Sequence, residues 1–482
     1  AFYYFQVAWH LAAGHGPTFD GLTWTTGFHP LYALLLAGTR RALRVDRQTL
    51  VTLAMALNTV CFGLTGLWLY RGALLLWSRR AARWAAILWF TNPHAILLAA
   101  TGMEGSLYAA CLAALCLMAV RISEGTTHAR RRPWLEAVWL GALAGLCILA
   151  RSDALVFAAG LGLLVLGIGP ASPGRRLARA ALFGLVALAP LLVWTWYCWS
   201  HTGRALQGSA DMKVLMRQMK TAGFTPARQA LFAINLFAAW SIKSLAKVPV
   251  LKYVLLAAGL RRVTRQPANG PATLRPLLLA LCGALLLLGV AYALFLPRIW
   301  TWYYAPALVV LTLMAAGGLH ALWSAPAASR CPRLTGRVSA IILALVAAES
   351  AGYLALKGTL GRNRRQTEAL QLAQWMARNL PTETRVAAWN AGIYAWYSER
   401  PTVNLDGLIN NDIAVLIRRG IPLSVYLQRL AIEYVADDAD YLPRKCPEWT
   451  TNDYSVVYQH HGADGRDKAV WRLHPSRPAA AP

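Results

Sequence analysis

A few polar side chains interrupt long apolar runs in this sequence, and their types suit acid–base and phosphate-binding chemistry. GPTFDGLTWTTGFHP (16–30) places one carboxylate, Asp20, and one imidazole, His29, among turn formers and aromatic rings. TGMEGS holds Glu104, LARSDAL holds Arg151 and Asp153, and PRIWTWYYAP holds Arg298, Tyr303 and Tyr304. A carboxylate beside a substrate hydroxyl orients or deprotonates it, and an arginine fork holds a phosphate through paired donors. Plainer readings stand beside these. Glu104 suits a helix N-terminus, where the macrodipole favours an anion. Arg151 and Asp153 can pair with each other while Ser152 or Asp153 caps the next helix. Asp20 before a glycine is turn sequence, and Trp and Tyr populate membrane interfaces for no catalytic reason. GLGLLVLGIG (160–169) lacks strand-turn-helix context and reads as a small-residue helix face, not a dinucleotide loop.

The elements that must position these groups are membrane helices. Of 482 residues, 57% are hydrophobic and only 14% charged, against about 25% charged in soluble domains, so the composition is that of a polytopic membrane protein. The formal charge of +27 does not indicate nucleic acid, because the basic residues form no single patch. RRAAR (79–83), ARRR (129–132), RRLAR (175–179), RRVTR (261–265) and the arginines at 330, 333 and 337 each sit between apolar segments, as topology signals do. Most of the cysteines lie inside apolar runs and no CxxC pair occurs, which supports neither a disulfide framework nor a zinc site. No dense carboxylate cluster demands a divalent metal, and no cofactor is implied. The abrupt start at AFYYF suggests that an N-terminal piece is missing.

Apolar runs near 48–77, 84–100, 105–121, 134–150, 154–169, 180–199, 276–296, 303–323 and 338–357, with a weaker one near 245–260, predict about ten spans. With the basic loops 78–83, 122–133, 170–179, 261–275 and 324–337 in the cytoplasm, the opposite loops are 101–105, 151–153, 200–244 and 297–302. Asp20, His29, Glu104, Arg151, Asp153, Arg298, Tyr303 and Tyr304 then all gather at the outer face. Ionisable groups held there usually face a cavity or pathway. Residues 1–47 stay on the same side, as a first outer loop with two interfacial helices, about 1–13 and 28–44. Arg40, Arg41 and Arg44 then face lipid phosphates. The expected organisation is 1–47, a transmembrane domain 48–357, and a small C-terminal α/β exoplasmic domain, 358–482. In the last, QTEALQLAQWMARNLP reads as a helix, and RVAAWNAGIYAWYS, IEYVADDADY and KAVWRLH read as strands.

FYYFQVAWHLAAGHGPTFDGLTWTTGFHPLY, TGMEGSLYAA, LARSDAL, WYYAP and VAAWNAGIYAWYSERPTVNLDGLIN resemble bacterial GT-C type membrane glycosyltransferases. These are the polyprenyl-phosphate-sugar-dependent relatives of protein mannosyltransferases and lipid A aminoarabinose transferases. The resemblance implies a sugar carried on polyprenyl phosphate, inverting transfer to a glycan, lipid or protein acceptor, and a multi-pass bacterial inner (plasma) membrane protein with a periplasmic C-terminal domain. It implies that Asp20 and Glu104 act as catalytic acids, the principal base lying upstream of Ala1 in the resembling proteins. His29, Arg298, Tyr303 and Asp406 (in NLDGLIN) are implied to bind substrate, and Arg151, Asp153 and Tyr304, placed on the same face by the topology, are expected to join them. Thr26 stands where the resembling proteins have asparagine. The principal rival is a lipid-linked-sugar flippase or transporter, and an inactive envelope scaffold is the third reading. Transporters tend to place ionisable groups near mid-membrane on repeated, broken helices, a pattern not seen here.

Overall fold

The structure, a computed structural model, describes residues 1–124, 133–167, 172–247, 274–323, 332–360, 364–462 and 467–474. The chain opens with two short helices, α1 (Phe2–Ala13) and α2 (Pro30–Leu43). Gly14, at φ 87°, stops α1, and Pro30 sits in the first turn of α2, where its missing N–H costs no hydrogen bond. The long helix α3 (Arg47–Leu76) begins at Asp46, whose carboxylate caps the Thr49 N–H at 2.8 Å.

The run expected as one span at 84–100 is instead two helices, α4 (Arg79–Phe90) and α5 (Pro93–Ala99). Asn92 accepts from His94 N and Ala95 N, so it starts a new helix, and Pro93 cannot continue the old one. Next come α6 (Gly105–Glu124), α7 (Pro133–Ala150), α8 (Leu155–Gly167) and α9 (Pro173–Thr202). The segment 200–244, expected as a loop, folds largely into α10 (Gly208–Thr221) and α11 (Pro226–Ala246). The bundle is completed by α12 (Leu274–Phe295), α13 (Ala305–Trp323) and α14 (Pro332–Leu360). Among the described residues, seven helices are long and apolar enough to cross a membrane, and Ser152–Leu164 and Ala340–Leu356 are shorter apolar ones. Most of the weak span expected near 245–260 lies outside the described residues, as do all or parts of the basic loops 122–133, 170–179, 261–275 and 324–337.

α13 runs through the centre, enclosed by α3, α4, α6 and α12. α11 has the length to cross and packs against α12. Lys220, near the end of α10, donates to the Pro297 carbonyl at 3.1 Å, and Lys247, at the end of α11, lies 5.0 Å from the Tyr304 ring centroid.

Beyond α15 (Arg364–Asn379) the chain forms a five-stranded sheet of order β2-β1-β3-β5-β4. β1 (Val386–Ala388) pairs in parallel with β2 (Thr402–Asn404) and β3 (Tyr434–Asp438). β5 (Lys468–Leu473) pairs antiparallel with β3 and with β4 (Tyr454–His460). Only the first part of RVAAWNAGIYAWYS is strand, because Ala391–Ser398 turns into α16. Its aromatic residues pack on α1, with Phe5 and Trp396 ring centroids 5.7 Å apart. That contact is tertiary and leaves no trace in local alternation.

Candidate active site

The linker between α5 and α6 is fastened before it presents any chemistry. Gly102 takes φ 65°, a left-handed conformation suited to glycine. Its carbonyl accepts from Tyr32 OH of α2 at 3.0 Å, and the next carbonyl, of Met103, accepts from Asn58 Nδ2 of α3 at 3.1 Å. Glu104 follows, immediately before α6, and its carboxylate is buried. Oε1 accepts from Arg151 Nη1 at 2.8 Å, where both side chains are almost fully enclosed. Oε2 is buried with no hydrogen-bond partner among the described residues.

Arg151 ends α7 and is held from two sides. Its Nη2 lies 2.7 Å from Asp153 Oδ2, and Asp153, in the turn that opens α8, also accepts from Tyr292 OH of α12. The guanidinium carbon stands 4.7 Å from the Tyr303 ring centroid, in cation–π range. His29, just before α2, brings Nε2 to 4.0 Å from Glu104 Oε1. Burial drives the His29 imidazole down to about 4 despite the neighbouring Glu104, so it is neutral at pH 7. For Glu104 itself, burial pushes the carboxyl up, but the Arg151 charge outweighs it and holds the group below the usual carboxylate range.

Sequence reasoning missed several members of this cluster. Lys213, from α10, places Nζ 5.5 Å from the centroid of the same Tyr303 ring, and makes no ion pair among the described residues. Tyr4 of α1 faces the same carboxylate, and burial together with the Glu104 charge keeps its hydroxyl protonated. Tyr108 OH is buried without a hydrogen-bond partner among the described residues. It follows Glu104 by four residues on α6, a one-face spacing visible in TGMEGSLY. Tyr292 lies in the apolar run AYALF, and no sequence signal separates it from an interfacial tyrosine.

The structure brings Glu104, Arg151, Asp153, His29 and Tyr303 together, and leaves four predicted residues outside that network. Asp20 closes an Asx turn, its carboxylate accepting from Leu22 N, Thr23 N and Thr23 Oγ1, each at 2.8 Å. Arg298 is exposed and stacks on Trp300 at 4.8 Å. Tyr304 is buried under Lys247. Asp406 accepts from Tyr3 OH and Leu408 N, each at 2.8 Å. Burial raises its carboxyl to about 6, and it borders a cavity of about 480 Å³ walled by Met212, Met216 and Trp389. The loop 16–30 connects the two regions. A Cβ at Gly27 would sit 2.0 Å from the Leu408 carbonyl oxygen, so the loop lies directly on NLDGLIN. Thr26 Oγ1 donates to Asn411 Oδ1 at 3.2 Å and accepts from Gly208 N at 3.1 Å, joining that loop to α10 and thus to Lys213. Among the described residues no group of three or more His, Cys, Asp or Glu side chains is placed to hold a metal ion.

Solved structures decide the architecture. ArnT from Cupriavidus metallidurans, bound to undecaprenyl phosphate, superposes with a TM-score of 0.58 at 14% identity, covering 98% of this chain and 93% of that one. This chain has the GT-C fold. The archaeal oligosaccharyltransferase AglB from Archaeoglobus fulgidus, in complex with an inhibitory peptide and a dolichol-phosphate, gives 0.55 at 13% identity, over 97% of this chain and 69% of that one. The arabinofuranosyltransferase AftD from Mycobacteria gives 0.51 at 16% identity, over 99% and 40%. The GT-C fold is thus shared at identities that carry no residue-by-residue assignment. A family profile described as "Domain of unknown function (DUF8728)" matches residues 357–474, the sheet-bearing part of the chain. A search of the curated proteins finds no match.

Proposed function

We propose that this protein is an inverting glycosyltransferase that moves a sugar from a polyprenyl-phosphate carrier to a hydroxyl of a cell-envelope acceptor. The reading places the reaction at the outer face of a bacterial inner membrane, with residues 358–482 on the periplasmic side. It is supported by the GT-C fold and by neighbours solved with undecaprenyl phosphate or dolichol-phosphate. The single observation that carries it is the state of Glu104. One carboxylate oxygen is fixed by Arg151, while the other is buried near Tyr4 with no hydrogen-bond partner in range among the described residues, and such an acceptor is costly unless a substrate donor completes it.

In the proposed reaction the acceptor O–H donates to Glu104 Oε2. The acceptor oxygen attacks the anomeric carbon, the bond from that carbon to the phosphate oxygen breaks, and the lipid phosphate leaves with the electron pair. The acceptor proton passes to Glu104. Arg151 is already balanced by Glu104 and Asp153, so its task is to fix the base. Lys213, half-buried on Tyr303 and without an ion pair among the described residues, is a cation free to meet the phosphate as charge develops. Neutral His29 and the hydroxyl of Tyr4 supply hydrogen bonds without adding charge. Asp20 holds the shape of the 16–30 wall, and Asp406 with its cavity belongs to the acceptor side. Arg298 and Tyr304 take the rim.

Binding of the carrier tests this assignment. Purified protein should bind polyprenyl phosphate in preference to uncharged polyprenol, and Lys213→Gln should weaken the phosphate form about tenfold while leaving polyprenol binding unchanged. Equal affinity of the wild type for both lipids would contradict it.

A further inference from the structure

The interfacial helix pair carries a second polar feature that the transfer reaction does not use. Arg40, Arg41 and Arg44, at the C-terminal end of α2, line a recess of about 480 Å³ together with Ala12 and Val45. None of the three forms an ion pair among the described residues. The acid nearest along the chain, Asp46, is engaged in capping Thr49. Arg47, by contrast, is occupied, donating to Gln6 Oε1 and the Trp396 carbonyl and lying 3.7 Å from Glu399.

The recess is built as well as charged. The Arg40 guanidinium lies 3.5 Å from the Trp9 ring centroid, which fixes its plane, and its Nε is buried with no hydrogen-bond partner among the described residues. Arg44 closes α2 in a left-handed conformation, φ 52°, that non-glycine residues seldom adopt. Mutually repelling guanidiniums around an unsatisfied donor fit a bound anion. The partial negative charges of the two helix C-termini that meet here, roughly half a charge each, offset only part of that field.

The neighbouring surface says which kind of anion. Leu34 and Leu35 of α2 are 55% and 40% exposed, and a Cβ on Gly38 would meet nothing within 4 Å. Leu34, Gly38 and Arg41 follow one helix stripe, so an open apolar face leads into the cationic recess. We infer that this recess binds the phosphodiester head group of an anionic membrane lipid, with its acyl chains along the Leu34–Gly38 face. The inference rests on the interfacial placement of α1 and α2 and is independent of the transfer reaction. A soluble phosphate shares the head-group chemistry but gains nothing from the apolar face.

The full chain in phosphatidylcholine nanodiscs, titrated with phosphatidylglycerol and read by native mass spectrometry and thermal midpoint, separates these cases. The wild type should retain phosphatidylglycerol selectively and melt higher with it. Arg41→Gln with Arg44→Gln should weaken retention about 30-fold, from two lost surface charges, with the midpoint in pure phosphatidylcholine unchanged. Arg41→Lys with Arg44→Lys should keep most of it, and Arg79→Gln with Arg80→Gln, at the other end of the bundle, should keep all of it. Unchanged retention in the first variant, equal loss in the Arg79/Arg80 variant, or the same stabilisation by inorganic phosphate alone would overturn the inference.

Discussion

Glu104→Gln lowers the release of polyprenyl phosphate from a lipid-linked sugar donor by about 10²–10⁴-fold, the range for removing a positioned proton acceptor. The amide keeps the size of the carboxylate and an oxygen that can accept from Arg151 Nη1, which the native Oε1 meets at 2.8 Å. It loses the ability to take a proton from the acceptor hydroxyl. The deficit therefore appears in kcat more than in KM, and initial rates over a donor series in proteoliposomes measure it. A Glu104→Gln enzyme with a wild-type kcat would remove Glu104 from the chemistry. The fully ionised state of Glu104 also sets the pH response. Because Arg151 holds its carboxyl below the usual range, activity should stay flat from neutral pH down through mildly acid pH, and should fall only as the carboxylate begins to protonate.

Arg151→Met has the largest expected effect on stability. Arg151 is 3% exposed and is shared between Glu104 and Asp153. Removing it leaves the buried Glu104 carboxylate and the half-buried Asp153 carboxylate without their shared cation, and breaking a buried pair in this way costs about 3–5 kcal/mol. Thermal unfolding in detergent should show a large drop in midpoint at pH 7. The sign of its pH dependence is distinctive. Without Arg151 both carboxyls are raised relative to the unfolded chain, so the variant regains stability as pH falls and the acids protonate. A variant that melts like the wild type at pH 7 would show that the cluster is not coupled as the distances imply.

Much of this was legible in the residues, and the failures share a cause. Apolar run length marked α3, α6, α7, α9, α12 and α13, because a span must satisfy its backbone internally. The break at Asn92-Pro93 was also written locally, as a cap followed by a proline, but the apolar run concealed it. Glu104, Arg151, Asp153 and His29 met because short links leave few places for them to go. Lys213 and Tyr292 were not legible, since one sits on a helix inside a segment read as loop and the other inside an apolar run. Both join the cluster through tertiary packing. Ala391–Ser398 lies in a segment that reads as strand but is a helix, and it packs on α1, nearly 400 residues earlier in the chain.

The most direct measurement follows polyprenyl phosphate released from a panel of radiolabelled polyprenyl-phosphate sugars by the full-length protein in liposomes, with envelope extract as acceptor. Release with at least one donor, accompanied by label in the acceptor fraction and lost in Glu104→Gln, is the predicted result. Lipid-linked sugar that crosses the bilayer intact, with no phosphate released from any donor, would contradict the account and favour a flippase.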